Sequence, residues 1–223
     1  MKYLRATFTI FSKDLLNEKR TLATMGAMLV FAMIVVLIFL FAFDLTVGLR
    51  VEAASGIIWV TLCFSGTLSL DRTLSLERES ESMDGLRLAP FDHTAIYFAK
   101  VLVNWFFMLV SAILVILIYS IFGNVSLVSG TFFLVIVLGT LGYILTGTLI
   151  GTMNMQIKVR GPMLSVLLFP LLIPLILAVV NASSISLNGG NLKDLGTWLG
   201  LLAGYDLLSL AAGIVLYNKT LDE

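Results

Sequence analysis

The sequence predicts an all-α integral membrane protein with six transmembrane helices and an N-terminal interfacial helix. Of its 223 residues, 59% are hydrophobic and only 13% are charged, and the mean hydropathy is +1.02. About a quarter of the residues of a typical soluble domain are charged. The apolar residues also form runs close to the roughly 20 residues that a helix needs to cross a bilayer core of about 30 Å. Composition and run length together exclude a soluble globular domain.

Residues 1–21 are predicted to form an amphipathic helix that lies in the inner membrane interface. Leu4, Phe8, Phe11 and Leu15 recur at helical spacing, and the basic residues fall mostly on the other side of the helix. A flexible basic tail is the alternative. The apolar run that follows is too long for a signal-peptide core and does not end at a small-residue cleavage site, so we expect it to remain as the first span.

The rest of the chain is predicted to be one domain of six transmembrane helices over residues 22–217, with a short tail at 218–223. The gaps between the apolar runs are too short to hold a separate soluble domain. The predicted spans are Leu22–Phe43, Ala53–Leu70, Val101–Phe122, a stretch within Val125–Ile157, Pro162–Val180 and Leu195–Tyr217. This assignment leaves residues 181–194 as a short outer loop.

The distribution of basic residues predicts that both termini are cytoplasmic. Lys and Arg are retained on the cytoplasmic side of membrane proteins. All but two of the 14 lie before span one, around the loops after spans two and four, or in the C-terminal tail. The two exceptions are Arg50 and Lys193. The chain is therefore expected to be multi-pass, with its N- and C-termini inside.

Several chemistries are excluded by the residues that the sequence lacks. There is no GxxxxGK[ST] phosphate loop and no HExxH zinc motif, so the chain is not expected to be an enzyme or to bind ATP itself. Its single cysteine, Cys63, cannot form an internal disulfide or a cysteine zinc cluster. Its single histidine, His93, has no nucleophile or metal partner in the sequence pattern. The net charge of zero gives no indication of nucleic-acid binding.

The membrane segments contain a few residues that are candidates for a path or gate. Asp206 is the only clearly intramembrane acid, and Pro170 and Pro174 interrupt the hydrogen bonding of span five. A packing hydrogen bond and a static kink are the structural alternatives. Glycines along span four, including the GxxxG pair Gly147 and Gly151, predict close helix packing, within the chain or across a dimer. The full candidate set is Trp59, Asp71, Pro170, Pro174 and Asp206.

The cytoplasmic loop over residues 73–94 concentrates charge between two apolar segments. It contains apolar anchors among charges of both signs, and Pro90 ends any helix before the next span. Headgroup binding favours a basic face, but this loop is net acidic, so docking to a soluble protein is the better interpretation. The residues expected to make that contact are Glu77, Arg78, Glu79, Glu81, Met83, Asp84, Leu86, Arg87 and Pro90.

These features carry a resemblance to a known family. A charged stretch that ends in Leu-x-Pro after span two resembles the coupling segment of type-2 ABC exporters. More closely, SGIIWV at 55–60, LSLDR at 68–72, AKVLVNW at 99–105 and VRGPMLSVLLFPLLIPLIL at 159–177 resemble the CcmB family, a membrane component of the haem exporter of cytochrome c maturation. The similarity extends over most of the chain. Asp206 is atypical of the family.

The resemblance implies a type-2 ABC exporter fold in a bacterial-type inner membrane. It also implies three partners: an ABC ATP-binding subunit, a haem-handling membrane subunit and a periplasmic haem chaperone, with a homodimer possible. The segment 73–94 would couple ATP hydrolysis in the partner to haem export or to release of the haem-loaded chaperone. This chain itself is expected to bind no cofactor; ATP belongs to the partner and haem is a possible substrate of the complex.

Two other functions remain open at this point. A type-2 exporter subunit for a lipid, drug or polysaccharide would have the same fold, although the short outer loop at 181–194 argues against it. A structural assembly factor outside the ABC class is the second alternative. A secondary transporter would require paired intramembrane charges or inverted repeats, and the sequence shows neither.

Overall fold

The computed structural model describes residues 18–42, 47–79, 93–156 and 163–222, and all of these ranges are dominated by α-helix. The predicted interfacial helix therefore lies outside the described residues, apart from its last four positions, which belong to the first helix. The described helices are α1 (Glu18–Ala42), α2 (Val47–Glu79), α3 (His93–Gly123), α4 (Gly130–Gln156), α5 (Met163–Leu187) and α6 (Leu192–Asp222).

Within the described residues, five helices are long and apolar enough to cross a membrane. Their crossing segments are Gly48–Asp71, Ile96–Gly123, Gly130–Gly151, Val166–Leu187 and Leu192–Leu216. The prediction of an all-α membrane protein is confirmed. In α1 the apolar section is the shorter Met28–Ala42, so the sixth span stays a prediction.

Helices α2 and α4 form the centre of the bundle. Of their crossing segments, 67% is buried inside the chain, against 17% of α6. The large buried side chains Trp59, Tyr97, Tyr119 and Tyr143 fill the space between helices. Apolar side chains on the outer faces of α1, α3, α5 and α6 are exposed, as expected for surfaces that meet lipid.

Contacts between helix ends show that α2 and α3 run in opposite directions, as do α4 and α5. At one end of the bundle Arg50 Nη1, near the start of α2, donates to the carbonyl of Gly123 at the end of α3 over 3.1 Å. Likewise, Ser129 Oγ, just before the start of α4, lies 3.2 Å from Ser186 Oγ near the end of α5. Arg50 and Lys193, the two basic residues predicted to be outside, belong to these helix ends.

The predicted outer loop at 181–194 is wrong for its first half, because α5 continues through Leu187. Polar side chains on its last two turns are bonded along or between helices; Asn181 Nδ2, for example, donates to the Leu177 carbonyl over 2.7 Å. The helix ends at Leu187 and a turn follows it, in which Gly189 has a φ of 81° in the left-handed region and the Gly190 N–H donates to the Ile185 carbonyl over 2.9 Å. The Asn191 N–H donates to Asp194 Oδ2 over 2.9 Å and caps α6.

Helix α2 continues well beyond the membrane-crossing part of the chain. Its crossing segment ends at Asp71, but the helix runs unbroken to Glu79. At 1.5 Å per residue its 33 residues span about 50 Å. The predicted coupling segment 73–94 therefore begins as a direct extension of the second span rather than as a separate short helix.

Candidate functional site

Three glycines on α4 allow neighbouring helices to pack directly on its backbone, and we call Gly139, Gly142 and Gly147 the glycine face. A Cβ at Gly139 would collide with the Trp59 ring of α2 and with Val179 of α5. A Cβ at Gly147 would collide with Leu70 of α2. The expectation that the glycines of span four bring helices close together is confirmed for Gly139, Gly142 and Gly147, whose contacts lie within the chain, and it stays a prediction for Gly151 of the GxxxG pair.

Trp59 lies against the glycine face near the middle of the α2 crossing segment. Its side chain is buried, and its indole Nε1–H donates to Ser183 Oγ of α5 over 2.8 Å. The indole fits only because Gly139 has no side chain. One residue thus fixes the separation of α2 from α4 by contact and the position of α5 by a hydrogen bond.

Asp206, in α6, packs on Gly142 of the glycine face, whereas Trp59 packs on Gly139. Its side chain is only 7% exposed, and Oδ1 occupies the space that a Cβ at Gly142 would need. Leu175 Cδ1 of α5 lies 3.0 Å from the same point. Neither carboxyl oxygen has a hydrogen-bond partner among the described residues. The carboxyl group is therefore buried without a polar partner among the described residues, at the point where α5 and α6 pack on Gly142.

A group of hydroxyls lies one turn from Asp206 and joins α4, α5 and α6. Thr146 Oγ1 lies 3.0 Å from the Tyr205 hydroxyl and 3.1 Å from Ser209 Oγ. The Tyr205 hydroxyl also donates to the Leu171 carbonyl over 3.1 Å. Buried polar groups of this kind are costly in a membrane unless they are paired. Each of these three hydroxyls is paired, unlike the neighbouring carboxyl.

A second polar contact joins α4 to α2. The Tyr143 hydroxyl donates to the Cys63 carbonyl over 2.8 Å, and Thr67 Oγ1 lies 2.6 Å from the same hydroxyl. Gly66 makes this possible, because a Cβ there would approach Tyr143 Cε1 to 2.8 Å. The centre of the bundle thus combines small residues with hydroxyls that hold the helices in one register.

Only two of the predicted path residues meet at this site. Trp59 and Asp206 both contact the glycine face. Pro170 and Pro174 lie on the exposed face of α5 and do not line the interior. Asp71 is half-buried at the last position of the α2 crossing segment, 12 residues or about 18 Å along the helix from Trp59.

The predicted coupling residues fall at the edge of the described structure or beyond it. Glu77, Arg78 and Glu79 form the last turn of α2, as far as the backbone is described. The others lie outside the described residues: Glu81, Met83, Asp84, Leu86, Arg87 and Pro90.

Sequence reasoning missed the hydroxyl partners of the site. Thr146, Tyr205 and Ser209 were not singled out, and neither was the pair of Thr67 and Tyr143. The available signal is the spacing of small and hydroxyl residues in span four, where GTLGYILTG places them at intervals of three and four. That spacing puts them on one side of a helix, but only the folded structure shows which neighbouring helix each one meets.

The contacts described above are those of close helix packing. Among the residues that the structure describes, no group of three or more His, Cys, Asp or Glu side chains could hold a metal ion. Where the start of α4 lies beside the turn between α5 and α6, an open recess of about 570 Å³ is lined by Thr131, Lys193 and the turn 190–192. The recess is separate from the glycine face, which lies in the middle of the bundle.

Comparison with known proteins gives consistent relatives along the whole chain. A family model described as "CcmB protein" matches residues 5–218. "Heme exporter protein B" of Pseudomonas aeruginosa is 28% identical over 214 residues, covering 92% of this chain and 96% of the relative. Proteins of the same name from Paracoccus denitrificans and Rhodobacter capsulatus are 29% identical over 203 residues and 28% identical over 166 residues. They cover 89% and 74% of this chain, and 90% and 76% of their own lengths.

Proposed function

Because the chain belongs to the CcmB family, we propose that it is the membrane subunit of a haem exporter complex that serves cytochrome c maturation. In this role it couples ATP hydrolysis in a separate ABC subunit to haem export or to release of a haem-loaded chaperone outside. The observation that carries the proposal is the family match over residues 5–218, together with relatives named for haem export along nearly the same length. Haem is a substrate of the complex here, and this chain has no cofactor of its own.

The arrangement of helices supports a six-span topology with both termini in the cytoplasm. Helix α1 has 25 residues, about 38 Å of helix, which is enough to cross a bilayer core of about 30 Å. The alternating directions of α2 to α6 place Arg50 and Lys193 at one end and the remaining basic residues of these helices at the other. With the basic end inside, the protein is oriented N-in and C-in in a bacterial inner membrane.

The coupling role is assigned to the last turn of α2 and the segment that follows it. Because α2 reaches Glu79 without a break, a force applied beyond the membrane acts directly on the helix that contains Trp59. Met83, Leu86 and Leu88 are apolar residues among the charges of this segment, and Met83 and Leu86 serve as anchors in a groove of the ATP-binding subunit. The partners of this subunit are that ATPase, a haem-handling membrane subunit, a periplasmic haem chaperone and a second copy of this chain.

Co-purification with the ATP-binding subunit tests the proposal. Met83→Asp/Leu86→Asp should abolish co-purification, because it places unpaired charge in the docking groove. The triple change Glu77→Lys/Glu79→Lys/Glu81→Lys should weaken it, because the reversed charges then face like charges across the contact. Three positions are changed together because a single exposed ion pair contributes only about 0–1 kcal/mol.

Leu221→Asp is the matched control, since it makes the same apolar-to-acid change in the C-terminal tail. The membrane level of each variant is measured alongside the pull-down and the ATPase activity of the complex. Normal assembly and normal coupled ATPase activity in the Met83/Leu86 variant would show that this segment is a surface loop without a coupling role. If the wild type itself retains no ATPase, the chain works outside an ABC complex.

A further inference from the structure

Asp206 has an environment that neither helix packing nor the proposed transport function explains. It lies 14 residues from the start and 10 from the end of the crossing segment Leu192–Leu216, about 21 Å and 15 Å along the helix. It is therefore deep in the membrane. The side chain is 93% buried, and both carboxyl oxygens lack a hydrogen-bond partner within the described part of the chain.

The side chains identified beside the Asp206 carboxyl carry no positive charge. From α4 the neighbour is Gly142, whose missing side chain leaves the space that Oδ1 fills. From α5 it is the methyl group of Leu175, and from α6 itself it is Tyr205. Tyr205 is the only titratable group among these, and its hydroxyl is engaged with Thr146 and with a carbonyl of α5. Helix α3 also packs against α6 and contributes the buried residues Tyr97 and Lys100; Tyr97 lies against Gly213, seven residues or about 10 Å further along α6. Among the described residues, an ionised carboxylate here would have neither an ion-pair partner nor a hydrogen-bond donor, which is the most costly state for a buried acid.

The same geometry decides which ligand the carboxyl can take. Metal cations such as Ca²⁺ and Mg²⁺ need about six oxygen ligands around them. Among the described residues, Asp206 belongs to no group of three or more His, Cys, Asp or Glu side chains that could hold a metal ion, and the hydroxyls of Thr146, Tyr205 and Ser209 are paired with each other. A proton needs only the carboxyl oxygen that it binds. The site therefore fits a proton and does not fit a metal ion.

We propose that Asp206 is a proton-binding site in the middle of the membrane domain, held as a neutral carboxylic acid while α6 packs on Gly142. Separation of α6 from α4 exposes the carboxyl to water and allows the proton to leave, so proton release and helix separation are linked. The proposal does not depend on the proposed transport function, because it concerns the state of one carboxyl in this chain alone.

Dicyclohexylcarbodiimide, an apolar reagent that reacts with protonated carboxyl groups, tests the site in the full chain reconstituted in lipid. The acid proton passes to one carbodiimide nitrogen while the carboxyl oxygen bonds to the central carbon, and the adduct then rearranges to a stable N-acylurea. Peptide mass spectrometry should locate the adduct at Asp206, with labelling that falls at least tenfold from mildly acidic to alkaline pH. Asp206→Asn should abolish it, while Asp71→Asn should leave it unchanged.

A glycine pair provides the geometric control. Gly142→Ala places a Cβ where Oδ1 now lies, so it should displace the carboxyl and reduce labelling at neutral pH at least tenfold. Gly204→Ala, on α6 itself, adds the same atom where nothing lies within 4 Å and should label as the wild type does. Equal labelling in the two variants would overturn the assignment of the carboxyl to the glycine face.

Infrared spectroscopy supplies a second readout that does not depend on access of the reagent. The wild type should show the C=O stretch of a protonated carboxylic acid, and Asp206→Asn should remove that band. Absence of the band from the wild type at neutral pH would overturn the proposal, whatever the labelling result. Suppression of the band by Na⁺ at constant pH would also overturn it, because the ligand would then be a sodium ion.

Discussion

Replacing Gly139 by Ala should separate α2 from α4 and lower the stability of the bundle. The new Cβ would lie 3.0 Å from Trp59 Cζ2, about half an ångström inside the roughly 3.5 Å at which carbon atoms meet comfortably. It would come closer still to the tip of the indole and to Val179. Because Trp59 of α2 and Val179 of α5 both obstruct the new methyl group, rotation of one of these side chains leaves the clash with the other in place. Overpacking of this kind costs about 1–3 kcal/mol.

Thermal unfolding in detergent, monitored by size-exclusion chromatography, measures the Tm of each variant. For a chain of this size about 1 kcal/mol lowers Tm by roughly 2–4 °C, so Gly139→Ala should lower Tm by about 2–12 °C. Gly204→Ala is the matched control, because its Cβ meets nothing within 4 Å and its helix propensity rises. The control should have an unchanged or slightly higher Tm.

A double-mutant cycle with Trp59→Phe identifies the atoms responsible. Phe lacks the outer ring of the indole that obstructs the new methyl group, although it also loses the hydrogen bond to Ser183. The two changes together should therefore cost less than the sum of their separate effects, by about 0.5–3 kcal/mol. An additive result, or a Tm for Gly139→Ala equal to that of Gly204→Ala, would refute the reasoning that the indole sits on the α4 backbone.

Two further predictions concern topology and the polar contacts of the core. In a Cys63→Ala background, a cysteine at Asn188 should react with an impermeant reagent from the periplasm and one at His93 only after the cytoplasmic side is opened; labelling of position 93 from the periplasm would contradict the six-span topology. Tyr143→Phe should destabilise the chain by about 0.6 kcal/mol and at most about 1.7 kcal/mol, the range of hydrogen bonds between membrane helices, because it removes the hydroxyl between Thr67 and the Cys63 carbonyl. The same unfolding assay measures it, and a loss well above that range would mean that Tyr143 does more than make these bonds.

The sequence was sufficient to predict the class of the protein, because hydropathy and charge act on each span separately. A run of apolar residues marks a span wherever it packs, so five spans could be located, although the predicted end of span five lies seven residues before the end of its crossing segment. The end of α5 was misplaced because Asn181 and the serines after it are polar, and polarity was taken to mark a loop. In the structure these side chains bond to helix carbonyls or to side chains of neighbouring helices, so the helix continues to Leu187.

The candidate site could be predicted only in part, because it depends on which helices meet. Asp206 was singled out correctly as a buried membrane acid, since a charged residue in a span is rare wherever it occurs. The partnership of Trp59 with Gly139 and Ser183 depends on the rotation and depth of three helices, which hydropathy does not specify. Pro170 and Pro174 were conspicuous in the sequence, but their position on the exposed face of α5 could not be deduced from it.

The unbroken course of α2 gives the proposed coupling a mechanical form. Gly66 is pressed against Tyr143 and Met108, so this point of the helix can act as a fulcrum. From Gly66 to Glu79 the helix extends 13 residues, about 20 Å, and from Gly66 back to Trp59 it extends 7 residues, about 10 Å. If the helix pivots at Gly66, a displacement at Glu79 is about halved at Trp59 and the force there is about doubled. ATP-driven motion beyond the membrane would therefore reach the glycine face of α4 as a small, strong push in the opposite direction.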